Sequence, residues 1–142
     1  MKQLIFLSLV MIIFYSCSKE EPSKLSTYNT EVYTLDIGGN SEIHALTRVK
    51  GFEQKEQGDN KFFATIAYDV DLITPAGDTL KAFISQVEDK DADEKMRDIG
   101  LEAQFELDTT YVNGDYKVIF KVKDVLSGSS AFSSASFKLE NK

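Results

Sequence analysis

Phe62-Phe63-Ala64-Thr65-Ile66-Ala67-Tyr68-Asp69-Val70-Asp71-Leu72 decides the fold class of this chain. Phe62, Ala64, Ile66, Tyr68, Val70 and Leu72 fall on one face of an extended segment; Phe63, Thr65, Ala67, Asp69 and Asp71 fall on the other. A period of two belongs to a strand, because successive side chains on a strand point to opposite faces. The expectation is one dry face against a core and one wet face toward solvent.

The same alternation recurs on both sides of this stretch. Leu101, Ala103, Phe105 and Leu107 alternate with Glu102, Gln104, Glu106 and Asp108; Tyr116, Val118, Phe120 and Val122 alternate with Lys117, Ile119, Lys121 and Lys123. Weaker strands are expected at Glu31 to Ile37, Ile43 to Lys50, Thr79 to Gln86 and Ala131 to Leu139. Turn signals separate them, namely Gly38-Gly39-Asn40, Pro75-Ala76-Gly77-Asp78 and Ser127-Gly128-Ser129. Glu88 to Asp98 breaks the pattern; its helix-forming residues and opposite charges four apart predict a loop or a helical turn or two. The total is about seven strands, and two antiparallel sheets packed face to face accommodate them.

Asn113-Gly114-Asp115-Tyr116-Lys117-Val118 narrows the class. Its Gly-x-Tyr-x-Val order resembles the tyrosine corner of immunoglobulin-like domains, and Val122 to Gly128 is similar to their last hairpin. The resemblance implies an all-β, immunoglobulin-like antiparallel β-sandwich over residues 30–142. Val118 stands where antibody domains carry their second cysteine, and the chain has no tryptophan, so the antibody-type core is excluded.

The N-terminus reads differently. Lys2 precedes an apolar run from Leu4 to Phe14, broken only by Ser8, and Ser18 to Ser26 turns abruptly polar. A run of that length fits a secretory signal and is short for a membrane span. The only cysteine of the 142 residues, Cys17, follows Ser16 at the end of the run. Ser16-Cys17 resembles the lipobox of bacterial lipoproteins in the loose form found in the Bacteroidetes, with Phe14 where leucine is usual. Ser18-Lys19-Glu20-Glu21 resembles the surface-export signal of that group, and reads equally as a solvated tether. The resemblance implies a signal peptide over residues 1–16, acylation of Cys17, and an outer-membrane location facing either the periplasm or the exterior. Residues 17–29 are then an acylated cysteine and a flexible tether, whose twelve residues from Ser18 to Asn29 reach about 20 Å by random-coil scaling.

One cysteine excludes an internal disulfide and a cysteine-rich zinc site. A net charge of −7 argues against nonspecific binding to nucleic acid, which requires cations to neutralise phosphates. Asp89, Asp91 and Asp93 match the first ligand positions of a calcium loop. Its required glycine and bidentate glutamate are replaced by Glu94 and Gly100, leaving only weak calcium candidates. His44 is the sole histidine and the sole candidate base for a Ser-His-Asp arrangement; Asp69 and Asp71 are candidate paired carboxylates for sugar hydrolysis. No phosphate-cradling or dinucleotide motif is present, so no cofactor is expected.

The reading that results is a non-enzymatic envelope protein attached to the membrane by lipid. It would present an immunoglobulin-like module to a protein or glycan partner through Glu88 to Gly100, Tyr111 to Asp115 and Leu126 to Ser130. A structural accessory subunit held by strand pairing is the main alternative, and a small hydrolase the lesser one.

Overall fold

A computed structural model describes residues 23–140. The expected signal peptide and Cys17 lie outside the described residues. The described chain is all-β, with eight strands in two antiparallel sheets. They are β1 (Ser26–Asp36), β2 (Ser41–Lys50), β3 (Lys55–Gln57), β4 (Lys61–Ile73), β5 (Thr79–Ala92), β6 (Asp98–Leu107), β7 (Gly114–Asp124) and β8 (Ser130–Leu139).

The first sheet has the order β1-β2-β6. The second contains β3, β4, β5, β7 and β8, with β4 at its centre. Phe62 and Phe63 pair with both β3 and β5, and Ile66 to Val70 pair with both β5 and β7. Hence β5 runs along one edge of β4, while β3 and β7 divide the other, and β8 lies beyond β7.

The alternation of β4 has the expected consequence on its dry side. Ala64, Ile66, Tyr68, Val70 and Leu72 are buried against Ile43, Ala45 and Val49 of β2, Leu101 and Ala103 of β6, and Val118 and Phe120 of β7, in one core cluster. Burying each large aliphatic side chain contributes ~1.5–3 kcal/mol. The expected wet side is only partly wet, because Thr65 and Asp71 are buried as well. Lys121 Nζ lies 2.9 Å from Asp71 Oδ1, and the Ala82 N–H donates to the same oxygen at 2.8 Å. Ala82 sits at φ +47° in a bulge of β5, where the ladder shifts between Val70 and Leu72. The carboxylate thus fills a gap left in the backbone ladder.

Three boundaries differ from the sequence-based expectation. β1 begins at Ser26 and Leu25 is already buried, so the folded domain starts before residue 30 and Ser26 to Asn29 are strand, not tether. β5 continues through Ala92, so Glu88 to Asp91 form neither a loop nor a helical turn. The three-residue β3 brings the count to eight. Elsewhere the expected strands stand, each extended by a few residues.

Tyr116 is 2 % exposed; its hydroxyl donates to the Val112 carbonyl at 2.8 Å, and its ring stacks on Phe137. That bond fixes the crossing from β6 to β7. Gly114 makes the crossing possible: at φ +149°, an added Cβ would come 2.8 Å from Pro75 Cγ.

Gly51, at φ +77°, marks a second close approach, because a Cβ there would lie 2.3 Å from the Lys24 carbonyl oxygen. Gly51→Ala is expected to destabilise the domain by about 2 kcal/mol or more, from positive φ plus displacement of the incoming chain. Gly58→Ala, at ordinary φ with open space around it, should change stability by less than ~0.5 kcal/mol. Urea unfolding of the two variants checks this.

Candidate functional site

Antiparallel order places the chain entry, the β2–β3 link, the β5–β6 link and the β7–β8 hairpin at one end of the sandwich. They enclose a cleft of about 810 Å³ lined by Ser23, Gly51 to Gln54, Lys95 to Arg97, Ser127 and Ser129. Two of the loop segments expected to carry binding therefore meet here. The third, Tyr111 to Asp115, lies at the opposite end. Ser23 and Gly51 to Gln54 were not singled out in the sequence. The turn signal at Gly51 and the isolated Phe52, which is buried, were the available clues.

Buried hydrogen bonds hold the cleft in shape. Asp124 has no exposed surface. Its carboxylate accepts from the Glu53 N–H at 2.7 Å, the Leu126 N–H at 3.0 Å and the Ser127 hydroxyl at 2.6 Å. Its own N–H donates to the Ser129 carbonyl at 2.9 Å, and its carbonyl accepts from the Gly128 N–H at 2.8 Å. Three hydrogen bonds to one carboxylate compensate its desolvation. On the other wall, the Gln54 side chain acts as a strand neighbour: its Nε2 donates to the Met96 carbonyl, and its Oε1 accepts the Met96 N–H. The cleft walls present Glu53, Lys95 and Arg97 with serine hydroxyls between them, a polar surface suited to a partner's hydrogen-bonding groups.

The calcium candidates do not converge. Asp89 and Asp91 stand on a strand, where residues two apart are separated by about 7 Å. Asp89 accepts from the Thr65 hydroxyl at 2.6 Å. A calcium loop needs its carboxylates curled around one point. Among the described residues, no group of three or more such side chains is arranged to hold a metal ion.

The hydrolase candidates are committed elsewhere. Asp69 accepts from Ser85 Oγ at 2.6 Å. Burial raises the pKa of Asp71, but Lys121 and the Ala82 N–H more than offset this, leaving it below the ordinary carboxylate value and poorly suited to donate a proton. His44 stands on the outer face of β2, stacked on Tyr33 with centroids 4.8 Å apart. Its Nδ1 is 2.9 Å from Glu102 Oε1 and its Nε2 is 2.5 Å from Glu42 Oε1. Only an imidazolium donates at both positions.

No protein-family model matches the chain, and no curated protein matches it.

Two outcomes are expected. Asp124→Ala leaves three donors without their acceptor and should cost about 3 kcal/mol or more, measured by urea unfolding. His44 has a raised pKa, chiefly through its bond to Glu102; partial burial opposes this and Glu42 adds to it. A raised folded-state value means that its stabilisation is complete below the unfolded imidazole value of about 6.5 and is lost as pH rises through the folded value. Wild-type stability should therefore decline above neutrality more than that of His44→Gln, compared by urea midpoints from pH 6 to 9.

Proposed function

We propose that this protein is a non-enzymatic lipoprotein of the bacterial outer membrane, anchored through acylated Cys17, whose immunoglobulin-like domain binds a protein or glycan partner. The observation that carries the reading is the position of Cys17. It closes an apolar run and stands eight residues before Leu25, the first buried residue among those described. The immunoglobulin-like part is supported by the Tyr116–Val112 bond at the β6–β7 crossing. It is supported further by the strand order, with β1, β2 and β6 in one sheet and β4, β7 and β8 in the other, β5 lying beside β4 as an additional strand of that second sheet.

The anchor gives the domain an orientation. Eight residues extend to at most about 28 Å. The chain enters beside Gly51, at the end that carries the cleft. That end therefore stays close to the lipid headgroups, and the sheet faces and the Asp36–Ser41, Ile73–Thr79 and Leu107–Gly114 turns are left for partners. The non-enzymatic part is supported by the structural engagement of His44, Asp69 and Asp71 described above. The accessory-subunit reading has one observation in its favour: β5 is fourteen residues long and pairs only with β4. Glu88, Asp89, Lys90 and Asp91 along its far half are the charges that discourage strand addition.

Anchoring is tested by expressing wild type and Cys17→Ala in a Bacteroidetes host with a labelled fatty acid. Wild type should be labelled and membrane-bound, and the variant unlabelled and released from the membrane. Continued labelling of the variant overturns the anchor.

A further inference from the structure

We propose that the outer face of the β1-β2-β6 sheet is a docking surface for a cationic, partly apolar protein segment. This deepens the reading of the domain as a binding module and does not depend on acylation of Cys17.

The strand registers assemble the face in rows. Leu35, Glu42 and Glu106 form one, Tyr33, His44 and Gln104 the next, and Glu31, Leu46 and Glu102 a third; Arg48 and Gly100 follow, then Lys50 and Asp98. Its charges do not balance. Arg48 is ion-paired to Asp98, and Lys50 Nζ lies 5.3 Å from the Tyr28 ring centroid. His44 supplies one positive charge to two carboxylates, Glu42 and Glu102. Glu31 and Glu106 are exposed and, among the described residues, have no ion-pair partner. The surplus is negative, and the complementary partner is cationic.

The same face is apolar along one side. Tyr33, Leu35 and Ile37 follow one another into the β1–β2 turn and are 46 %, 48 % and 45 % exposed. Apolar side chains rimmed by charge mark an interaction surface more often than singly scattered ones. Gly100, without a side chain, opens a trough of about 430 Å³ between Arg48 and Glu102, with Glu31 and Leu46 on its walls. A lysine or arginine in this trough meets Glu31 and Glu102, and a neighbouring apolar side chain reaches Tyr33 and Leu35. The surplus of carboxylates selects against anionic glycans.

His44 makes the affinity depend on pH. The charged and titratable groups around it are Tyr33 and Glu31 on β1, Glu42 and Arg48 on β2, and Glu102 and Glu106 on β6. When His44 loses its proton, the positive charge that offsets Glu42 and Glu102 is removed, although Gln104 still donates to Glu42. An incoming cation then meets a more negative surface, and binding tightens as pH rises through the raised His44 value.

The test uses the purified full chain in a mild nonionic detergent, acylated or not, with the detergent alone as blank and a fluorescent peptide of alternating lysine and tyrosine as probe. Saturable, salt-sensitive binding is expected. It should weaken about ten-fold in Glu31→Lys/Glu106→Lys and in Leu35→Ser, and remain unchanged in Glu56→Lys on β3. Binding should tighten between pH 6 and 9 in wild type, with no change in His44→Gln. Equal binding by the double variant overturns the proposal, as does salt-insensitive capture of a neutral oligosaccharide that Leu35→Ser abolishes. Fatty-acid labelling is read separately, so failure of the anchor and failure of this surface are distinguishable.

Discussion

The molecule is organised around the constraint that neighbouring strands and the core place on β4. It has β5 along one edge, β3 and β7 along the other, and the core beneath it, while its outer face, Thr65 and Asp71 apart, is half-exposed and open to solvent. A strand paired on both edges and buried on one face cannot slip by one residue. A one-residue shift would carry Ile66, Val70 and Leu72 out of the core and bring Asp69 and Asp71 into it. Asp71 adds a polar constraint, since its bonds to Lys121 and the Ala82 N–H form only in the observed register. The edge-to-face contact of Phe83 with Phe105, with centroids 5.1 Å apart, then connects β5 of one sheet to β6 of the other.

With no disulfide within the domain, buried carboxylates provide part of the fixation that a cross-link would give. Asp124 is the clearest case. It joins the β2–β3 link to the β7–β8 hairpin, two segments far apart in sequence, through a single side chain. A buried charge is costly unless satisfied, so this arrangement tolerates few alternative loop conformations. The acidic excess of the chain therefore has two parts. Asp71 and Asp124 are structural and internally compensated, whereas Glu31 and Glu106 contribute uncompensated potential on one face.

Much of the fold was legible because half-burial imposes a period of two; that period survives in β6 and β7, and in β4 is interrupted only where Thr65 and Asp71 are buried as well. The β6–β7 crossing was legible for a related reason: Gly114 supplies the backbone conformation two residues before Tyr116, whose hydroxyl donates to the Val112 carbonyl. What was not legible follows from where the information resides. β3 is Lys55-Glu56-Gln57, exposed throughout, and is a strand only because β4 offers it an edge. The far half of β5 is charged because it is an edge, and the charges that protect an edge make it look like a loop. The cleft escaped notice because Gln54 and Asp124 act on backbone groups distant in sequence, which no local pattern encodes.

The position of the chain entry bears most directly on how the domain meets a partner. In antibody variable domains the loops at one end of the sandwich are the recognition surface. In this protein the end that carries the β2–β3, β5–β6 and β7–β8 links also receives the chain entry, with the Lys24 carbonyl against Gly51. If the domain is tethered there as proposed, access to the loops at that end is restricted and the lateral surfaces are left for recognition. Of the two outer sheet faces, that of the larger sheet carries the Lys121–Asp71 pair, Lys117 and Lys123, and exposed Val87 and Phe132, so an anionic surplus does not dominate it. The face of β1-β2-β6 retains unpaired carboxylates beside exposed Tyr33 and Leu35. On that face, charge surplus and exposed apolar side chains coincide, and it is this coincidence that the docking proposal rests on.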